Sequence, residues 1–127
     1  MILDQNGRIY GTTSEGGSGG GGTVFELTAA NGTWTLAVLG SFNGVGGSFA
    51  GLVTDKAGNL YGTTLSSVFE LTPSGGVWMY TSLHNFNGHS DGGQLYGSVL
   101  VDAAGNLHGT ASSGGAYGFG VVRQITP

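Results

Sequence analysis

The 127-residue sequence contains no cysteine, which excludes disulfide bonds and thiolate metal sites. Proline occurs only twice, and only 8% of the residues are charged. The basic residues are Arg8, Lys56 and Arg123, and the net charge is −4. A nucleic-acid-binding surface needs clustered lysine and arginine side chains to displace counterions. We therefore expect no binding to nucleic acid.

Long hydrophobic runs are also missing. No stretch approaches the roughly 20 apolar residues that a membrane-spanning helix needs, so we expect no insertion into a membrane. A basic and then apolar signal segment is not seen at the start, so any export signal has been removed or the chain is a piece of a longer protein. Glycine, in contrast, is abundant, with 28 residues. Aromatic and β-branched residues are spread between the glycines, which predicts short strands joined by tight turns.

One ten-residue phrase is written three times, as DQNGRIYGTT at 4–13, DKAGNLYGTT at 55–64 and DAAGNLHGTA at 102–111. Further along, TVFELTAANGTW (23–34) aligns without a gap with SVFELTPSGGVW (67–78). Internal similarity at a fixed spacing is typical of repeat architectures. We interpret the chain as a single repeat domain, 1–127, with units at 1–50, 51–97 and 98–127.

Each unit is predicted to hold four strands, which in the second unit are GLVTD (51–55), NLYGTT (59–64), SVFELT (67–72) and VWMYTSLHNF (77–86). The DKAG turn has its Asp at the first position, where the side chain can accept hydrogen bonds from backbone N–H groups. Alternation in the fourth strand places Trp78, Tyr80, Ser82, His84 and Phe86 on one face.

The third unit supplies only three strands and ends with GVVRQITP (120–127), giving about eleven strands in all. Alignment on its final threonine places Arg123 where Phe25 and Phe69 stand in the first two units. Charged residues are common on the edge strands of sheets. The last strand is therefore predicted to be an edge strand or to lie at a contact.

The motifs GNLYGTT, GTVFELT and LHNFNG followed by DGG resemble those of a family of secreted bacterial tandem-repeat proteins called GloVer-containing, described as having a choice of anchor. The resemblance covers essentially the whole chain. It implies a β-propeller-like stack of blades on an exported or cell-surface protein, and it brings no catalytic residues. The family pattern has a tyrosine at the position of Tyr10 and Tyr61, and the third unit departs from it with His108.

The predicted fold class is all-β, with propeller-like four-stranded antiparallel blades in two full repeats plus a partial third. A closed propeller needs at least about four blades, so this chain would leave sheet faces and edges uncovered. Copies could associate as a homo-oligomer, a dimer or trimer, or the chain could be a fragment of a longer propeller. Alternatively, the three units could close alone as a pseudo-threefold β-trefoil or β-prism. We favour association, because repeats stack naturally on copies of themselves.

Three polar residues, His84, His89 and Asp91, form the best candidate for a metal site. Imidazole and carboxylate groups at loop spacing are ligands for Zn²⁺, Cu²⁺ or Mn²⁺. A structural role explains two of the three better, since His84 lies in a strand and Asp91 in a turn. We therefore expect no cofactor and keep a metal ion as the alternative.

Aromatic residues suggest a binding surface. Trp34 and Trp78 are repeat-equivalent and are interpreted as blade core, and Glu26 and Glu70 as a solvated strand face. The candidate ligand-binding residues are those that break the repeat: Tyr96, Tyr117 and His108.

The function predicted from these features is an extracellular β-repeat scaffold or binding module that self-associates, with carbohydrate as the expected ligand class. The first alternative is a hydrolase or lyase acting on polysaccharide, which would use the region of His84, His89 and Asp91 and a metal ion. A purely structural assembly unit is the second alternative.

Overall fold

The computed structural model describes residues 1–44 and 46–127, and this part of the chain contains eleven strands and no helix. The strands are β1 (Ile2–Leu3), β2 (Ile9–Thr12), β3 (Gly20–Ala30), β4 (Thr33–Asn43), β5 (Val53–Thr54), β6 (Leu60–Thr63), β7 (Ser67–Ser74), β8 (Val77–Asn85), β9 (Leu100–Val101), β10 (Leu107–Ala111) and β11 (Val121–Ile125). Accordingly, none of the described segments is a helix long and apolar enough to cross a membrane.

The strands form three separate antiparallel sheets, with the orders β1-β2-β3-β4, β5-β6-β7-β8 and β9-β10-β11. Each strand pairs with its neighbour in sequence, so every sheet is a simple meander. The predicted all-β class, with two four-stranded blades and an incomplete third, is thus confirmed. Strand β11 lies at the edge of the third sheet, and Arg123 pairs with Gly109 as Phe69 pairs with Gly62, which confirms the predicted alignment and edge position.

The repeated aspartate forms the same turn in each unit. In the second unit, Asp55 Oδ1 accepts hydrogen bonds from the backbone N–H groups of Ala57 at 2.9 Å and Asn59 at 3.0 Å. Gly58 has a φ of +87°, a left-handed conformation that favours glycine. Corresponding bonds reach Asp4 and Asp102. The predicted role of the aspartate in the turn is confirmed.

Two apolar clusters join the sheets in series. The first cluster packs Tyr10, Val24 and Phe42 of the first sheet against Leu52, Leu60, Phe69 and Leu71 of the second unit. The second cluster joins Tyr61, Val68 and Phe86 with Leu95, Val99, Leu107 and Ala111. The second sheet is therefore covered on both faces. The described residues form neither a closed barrel nor one shared core, so the trefoil and prism alternatives do not describe this arrangement.

A β-bulge corrects the prediction for the fourth strand. Phe69 pairs with Ser82, but the adjacent Val68 pairs with His84, so β8 contains one extra residue, Leu83. An extra residue reverses the alternation of side chains beyond it. Trp78 accordingly packs on the first cluster and Phe86 belongs to the second. The prediction that His84 and Phe86 share a face with Trp78 was wrong.

Two further expectations are corrected by burial. Trp34 is 54% exposed and is not core, because none of the described strands lies in front of its face of the first sheet. Trp78, in contrast, is half-buried and meets Tyr10 edge-on at 5.7 Å. Glu26 and Glu70 are half-buried rather than solvated, and each accepts a hydrogen bond from a tyrosine.

Candidate functional site

A buried tyrosine bonds to carboxylates in each of the first two units, to two of them in the second unit and to one in the first. The Tyr61 hydroxyl lies 3.1 Å from Asp55 Oδ2 and 3.0 Å from Glu70 Oε1. Burial and these two acceptors raise the pKa of Tyr61 far above its ordinary value. In the first unit the Tyr10 hydroxyl donates to Glu26 Oε1 at 3.0 Å. The network ties the first hairpin to the third strand, so its role is structural.

The third unit replaces this tyrosine with His108, whose Nε2 lies 2.9 Å from Asp102 Oδ2. The hydrogen bond from His108, followed by those from Asn106, holds the pKa of Asp102 well below its usual range. Gln124 stands opposite His108, where the other units have glutamate. The departure of His108 from the repeat is therefore explained by its contact with Asp102, and its role as a ligand-binding residue stays a prediction.

The predicted metal ligands are brought only partly together. His84 Nε2 lies 3.3 Å from Asp91 Oδ2, and Asp91 Oδ1 accepts a hydrogen bond from the Asn87 backbone. Removal from solvent raises the pKa of Asp91, but the bonds from Asn87 and His84 outweigh it and lower that pKa overall.

The third member, His89, has its ring exposed, and that ring is bonded to none of the described residues. Within residues 1–44 and 46–127, no group of three or more His, Cys, Asp or Glu side chains is placed to hold a metal ion. The contact between His84 and Asp91 can orient an imidazole and supplies one histidine and one carboxylate.

Tyr117 lies on a tight glycine-rich loop that repeats a loop of the first unit. Gly120 N donates to Gly114 O at 2.8 Å, as Gly22 N donates to Gly16 O at 2.9 Å. The phrases GGSGGGG (16–22) and GGAYGFG (114–120) therefore correspond residue by residue. The sequence analysis missed this correspondence, although the spacing of the glycines carried the signal.

The two loops differ at two positions. Tyr117 and Phe119, which are 87% and 92% exposed, replace Gly19 and Gly21. In the first unit the end of β4 lies over the loop, and a Cβ atom on Gly21 would come within 2.5 Å of the Gly44 carbonyl oxygen. Among residues 46–127 of the described chain, no strand takes the place of β4 in the third sheet. The space that a fourth strand takes in the first unit is thus open around Tyr117 and Phe119.

Tyr96, the remaining candidate, belongs to an exposed aromatic pair. Its ring lies 6.1 Å from that of Phe49, at an interplanar angle of 63°. Phe49 and Tyr96 each stand six residues before the aspartate of a hairpin turn, at Asp55 and Asp102, so they are repeat-equivalent. Sequence analysis missed Phe49. An open groove of about 590 Å³ begins at Phe49 and is lined by Met1, Thr12, Thr13, Ser14, Glu15, Ser48, Ala50 and Gly51.

The first sheet carries a second candidate surface, which we call the open face. Cross-strand pairing places Leu3, Ile9, Leu27 and Leu36 in one row, and Phe25 beside Val38 in the next. These six apolar side chains share one face of the sheet. Three of them, Leu3, Leu36 and Val38, are mostly exposed, and the other three are half-buried.

Comparison with known proteins gives one match. Residues 1–127, the entire chain, match the model of the Gloeobacter/Verrucomicrobia repeat. No curated protein and no solved structure matches the chain. The match spans the three sheets and the turns, networks and loops described above, and it agrees with the tandem repeat read from the sequence. The chain belongs to the Gloeobacter/Verrucomicrobia repeat family.

Proposed function

We propose that this chain is a repeat scaffold that associates head to tail with copies of itself through its sheet faces. The observation that carries the proposal is the open face of the first sheet. Leu36 and Val38 on this face are 61% and 54% exposed. Burying a leucine or valine side chain is worth about 1.5–3 kcal/mol, so an uncovered apolar face favours association.

The second sheet shows what normally covers such a face. The positions equivalent to Ile9, Phe25 and Leu27 are Leu60, Phe69 and Leu71, which are at most 2% exposed. They are covered by Tyr10, Val24 and Phe42 from the opposite face of the first sheet. The contact between the first two sheets is therefore a guide to the contact between copies: one face of a sheet covers the equivalent of the open face on the next sheet.

The third sheet carries, on its exposed face, residues equivalent to those with which the first sheet covers the second. Val122 corresponds to Val24 and Val68 in the first two units, and Leu100 corresponds to Ile2 and Val53. Both are mostly exposed. We propose that this surface of one copy covers the open face of the next copy. Such a contact uses two different patches, and it gives a ring if the rotation closes and a filament if it does not.

The experiment is a measurement of mass in solution, by light scattering or native mass spectrometry. Association predicts a multiple of 12.7 kDa for the wild-type chain. Leu36→Glu places a charge on the open face and is expected to shift the population to the 12.7 kDa monomer. Electron microscopy then distinguishes a ring from a filament.

Thr35→Glu is the matched control, because Thr35 is the neighbouring exposed residue of β4 and points to the opposite face. It is expected to leave the mass unchanged. A wild-type monomer at the highest soluble concentration would contradict the proposal, as would equal effects of the two variants.

The scaffold is also proposed to act outside the cell and to present a ligand-binding surface, with carbohydrate as the ligand class. The family resemblance supports this location. A polysaccharide hydrolase is less well supported, since glycoside cleavage typically uses two carboxyl groups with different pKa values. The contact between His84 and Asp91 offers one histidine and one carboxylate instead.

A further inference from the structure

The exposed pair of Phe49 and Tyr96 is held by segments that are themselves tightly fixed. Ser48 and Leu95, the residues immediately before the two aromatics, are buried. The residue that follows each aromatic is held by a threonine: after Phe49, the Ala50 carbonyl accepts a hydrogen bond from Thr12 Oγ1 at 3.0 Å. Thr63 Oγ1 donates to the Gly97 carbonyl at 3.1 Å in the same way. Two aromatic rings are therefore held in solvent by an ordered backbone, which reduces the entropy lost when a ligand binds.

The groove beside Phe49 is lined by polar side chains that can accept hydrogen bonds. Ser14 and Glu15 are exposed, and neither side chain is bonded to another described residue. Glu15 is the acidic residue of this groove, and its lining side chains include no lysine or arginine among the described residues. The groove can accept hydrogen bonds from a ligand, and the net charge of −4 of the whole chain disfavours an anionic one.

We infer that Phe49, Tyr96 and this groove form a binding site for a neutral carbohydrate chain. A sugar ring has an apolar C–H face that packs on an aromatic ring, and hydroxyl groups that bond to carboxylate and hydroxyl oxygens. The repeat-equivalent rings would contact successive parts of one polymer, while Glu15 and Ser14 bond its hydroxyls. This inference gives the binding surface proposed above a location and a ligand chemistry, and it rests on that proposal.

The test is affinity electrophoresis of the full chain in gels containing soluble neutral glycans: hydroxyethyl cellulose, galactomannan, xylan and starch. Migration is expected to be retarded in at least one of them. The double variant Phe49→Ala/Tyr96→Ala is expected to bind that glycan about tenfold more weakly or worse. Glu15→Gln, which keeps the shape of the side chain, is expected to weaken binding to a smaller extent.

Phe119→Ala is the matched control, since Phe119 is an exposed aromatic on the loop of a different unit. It is expected to leave the retardation unchanged. Retardation by none of the glycans, or equal retardation of the wild type and the double variant, would overturn the inference. Binding of a proline-rich peptide to the pair without any glycan binding would overturn it as well.

The solution mass of the same variants separates this inference from the proposed self-association. Phe49 and Tyr96 lie outside the open face, so the double variant is expected to keep the mass and thermal unfolding temperature of the wild type. Lost glycan binding at unchanged mass supports the site alone, and a monomeric wild type that still binds glycan contradicts self-association alone.

Discussion

The His108 imidazole and the Asp102 carboxylate lie 2.9 Å apart, across the turn that opens the third repeat. Tyr61 and Asp55 are 3.1 Å apart at the same place in the second repeat. A tyrosine hydroxyl and an imidazole N–H thus serve one purpose, which is to donate a hydrogen bond to the second oxygen of the turn aspartate. The first oxygen is already engaged by the backbone of the turn.

This contact predicts how stability depends on pH. The folded-state pKa of Asp102 lies below the unfolded value of about 3.9. Its stabilising effect is therefore fully present above about pH 4 and is lost as the pH falls through the lower folded-state pKa. Asp102→Asn keeps the acceptor oxygen of the turn and removes the charge. Urea unfolding of the variant and the wild type at several pH values should show that the variant has the lower free energy of unfolding. The difference should be constant near neutrality and shrink in strong acid. A difference that stays unchanged down to acid pH would contradict this prediction.

The buried Tyr61 hydroxyl predicts a difference between two conservative substitutions. Tyr61→Phe removes the donor that lies near both Asp55 and Glu70, and we expect it to lower the free energy of unfolding by about 2 kcal/mol. Tyr10→Phe is the matched control, because its hydroxyl reaches one carboxylate, Glu26. Tyr10→Phe should lower the free energy of unfolding by less than Tyr61→Phe does. Denaturant unfolding of both variants measures the difference, and equal losses would argue against the two-carboxylate network.

A glycine opposite a buried phenylalanine predicts a steric effect. A Cβ atom on Gly62 would lie 2.5 Å from Phe69 Cζ, within the first apolar cluster. Gly62→Ala should therefore destabilise the fold by about 1–3 kcal/mol. At the equivalent Gly109 the facing residue is Arg123, and the nearest atom to an added Cβ is 3.2 Å away. Gly109→Ala should cost less, and thermal unfolding that ranks the two variants in reverse would contradict this account.

The glycine-rich loops predict opposite tolerance at equivalent positions. Gly21→Ala would press its Cβ against the carbonyl groups of Gly44 and Phe42 at the end of β4, so we expect a loss of stability of about 1–3 kcal/mol. Phe119→Ala, at the corresponding exposed position, should change stability by less than about 0.5 kcal/mol. Hydrogen exchange at the end of β4 should report the local loss. Unaltered exchange in the Gly21 variant would show that β4 does not depend on this contact.

The sequence was enough to predict the repeat, the strands and the aspartate turns, because all three depend on local patterns. The turn needs an acceptor at its first position and a left-handed glycine at its fourth, and both are visible in DKAG (55–58). The edge position of β11 also followed from one residue, Arg123.

Features that depend on the pairing of strands could not be predicted in this way. The bulge at Leu83 reverses the face of His84, and nothing in the alternation of β8 marks it. The exposure of Trp34 depends on whether a sheet lies in front of it, which is a property of the number of repeats. Phe49 was not predicted, because Tyr96 was interpreted as a residue that breaks the repeat, whereas the two aromatics occupy equivalent positions in consecutive linkers.

The bonds from Thr12 to the Ala50 carbonyl and from Thr63 to the Gly97 carbonyl fasten each hairpin to the linker that leads into the following unit. Both joints are therefore made of the same two parts, a threonine of the hairpin and a backbone carbonyl at the end of the same unit. A gene that gains or loses a complete unit would leave all remaining joints chemically unaltered. Variation in the number of units is thus the change that this architecture tolerates most easily, whereas a break inside a unit would separate a threonine from its carbonyl.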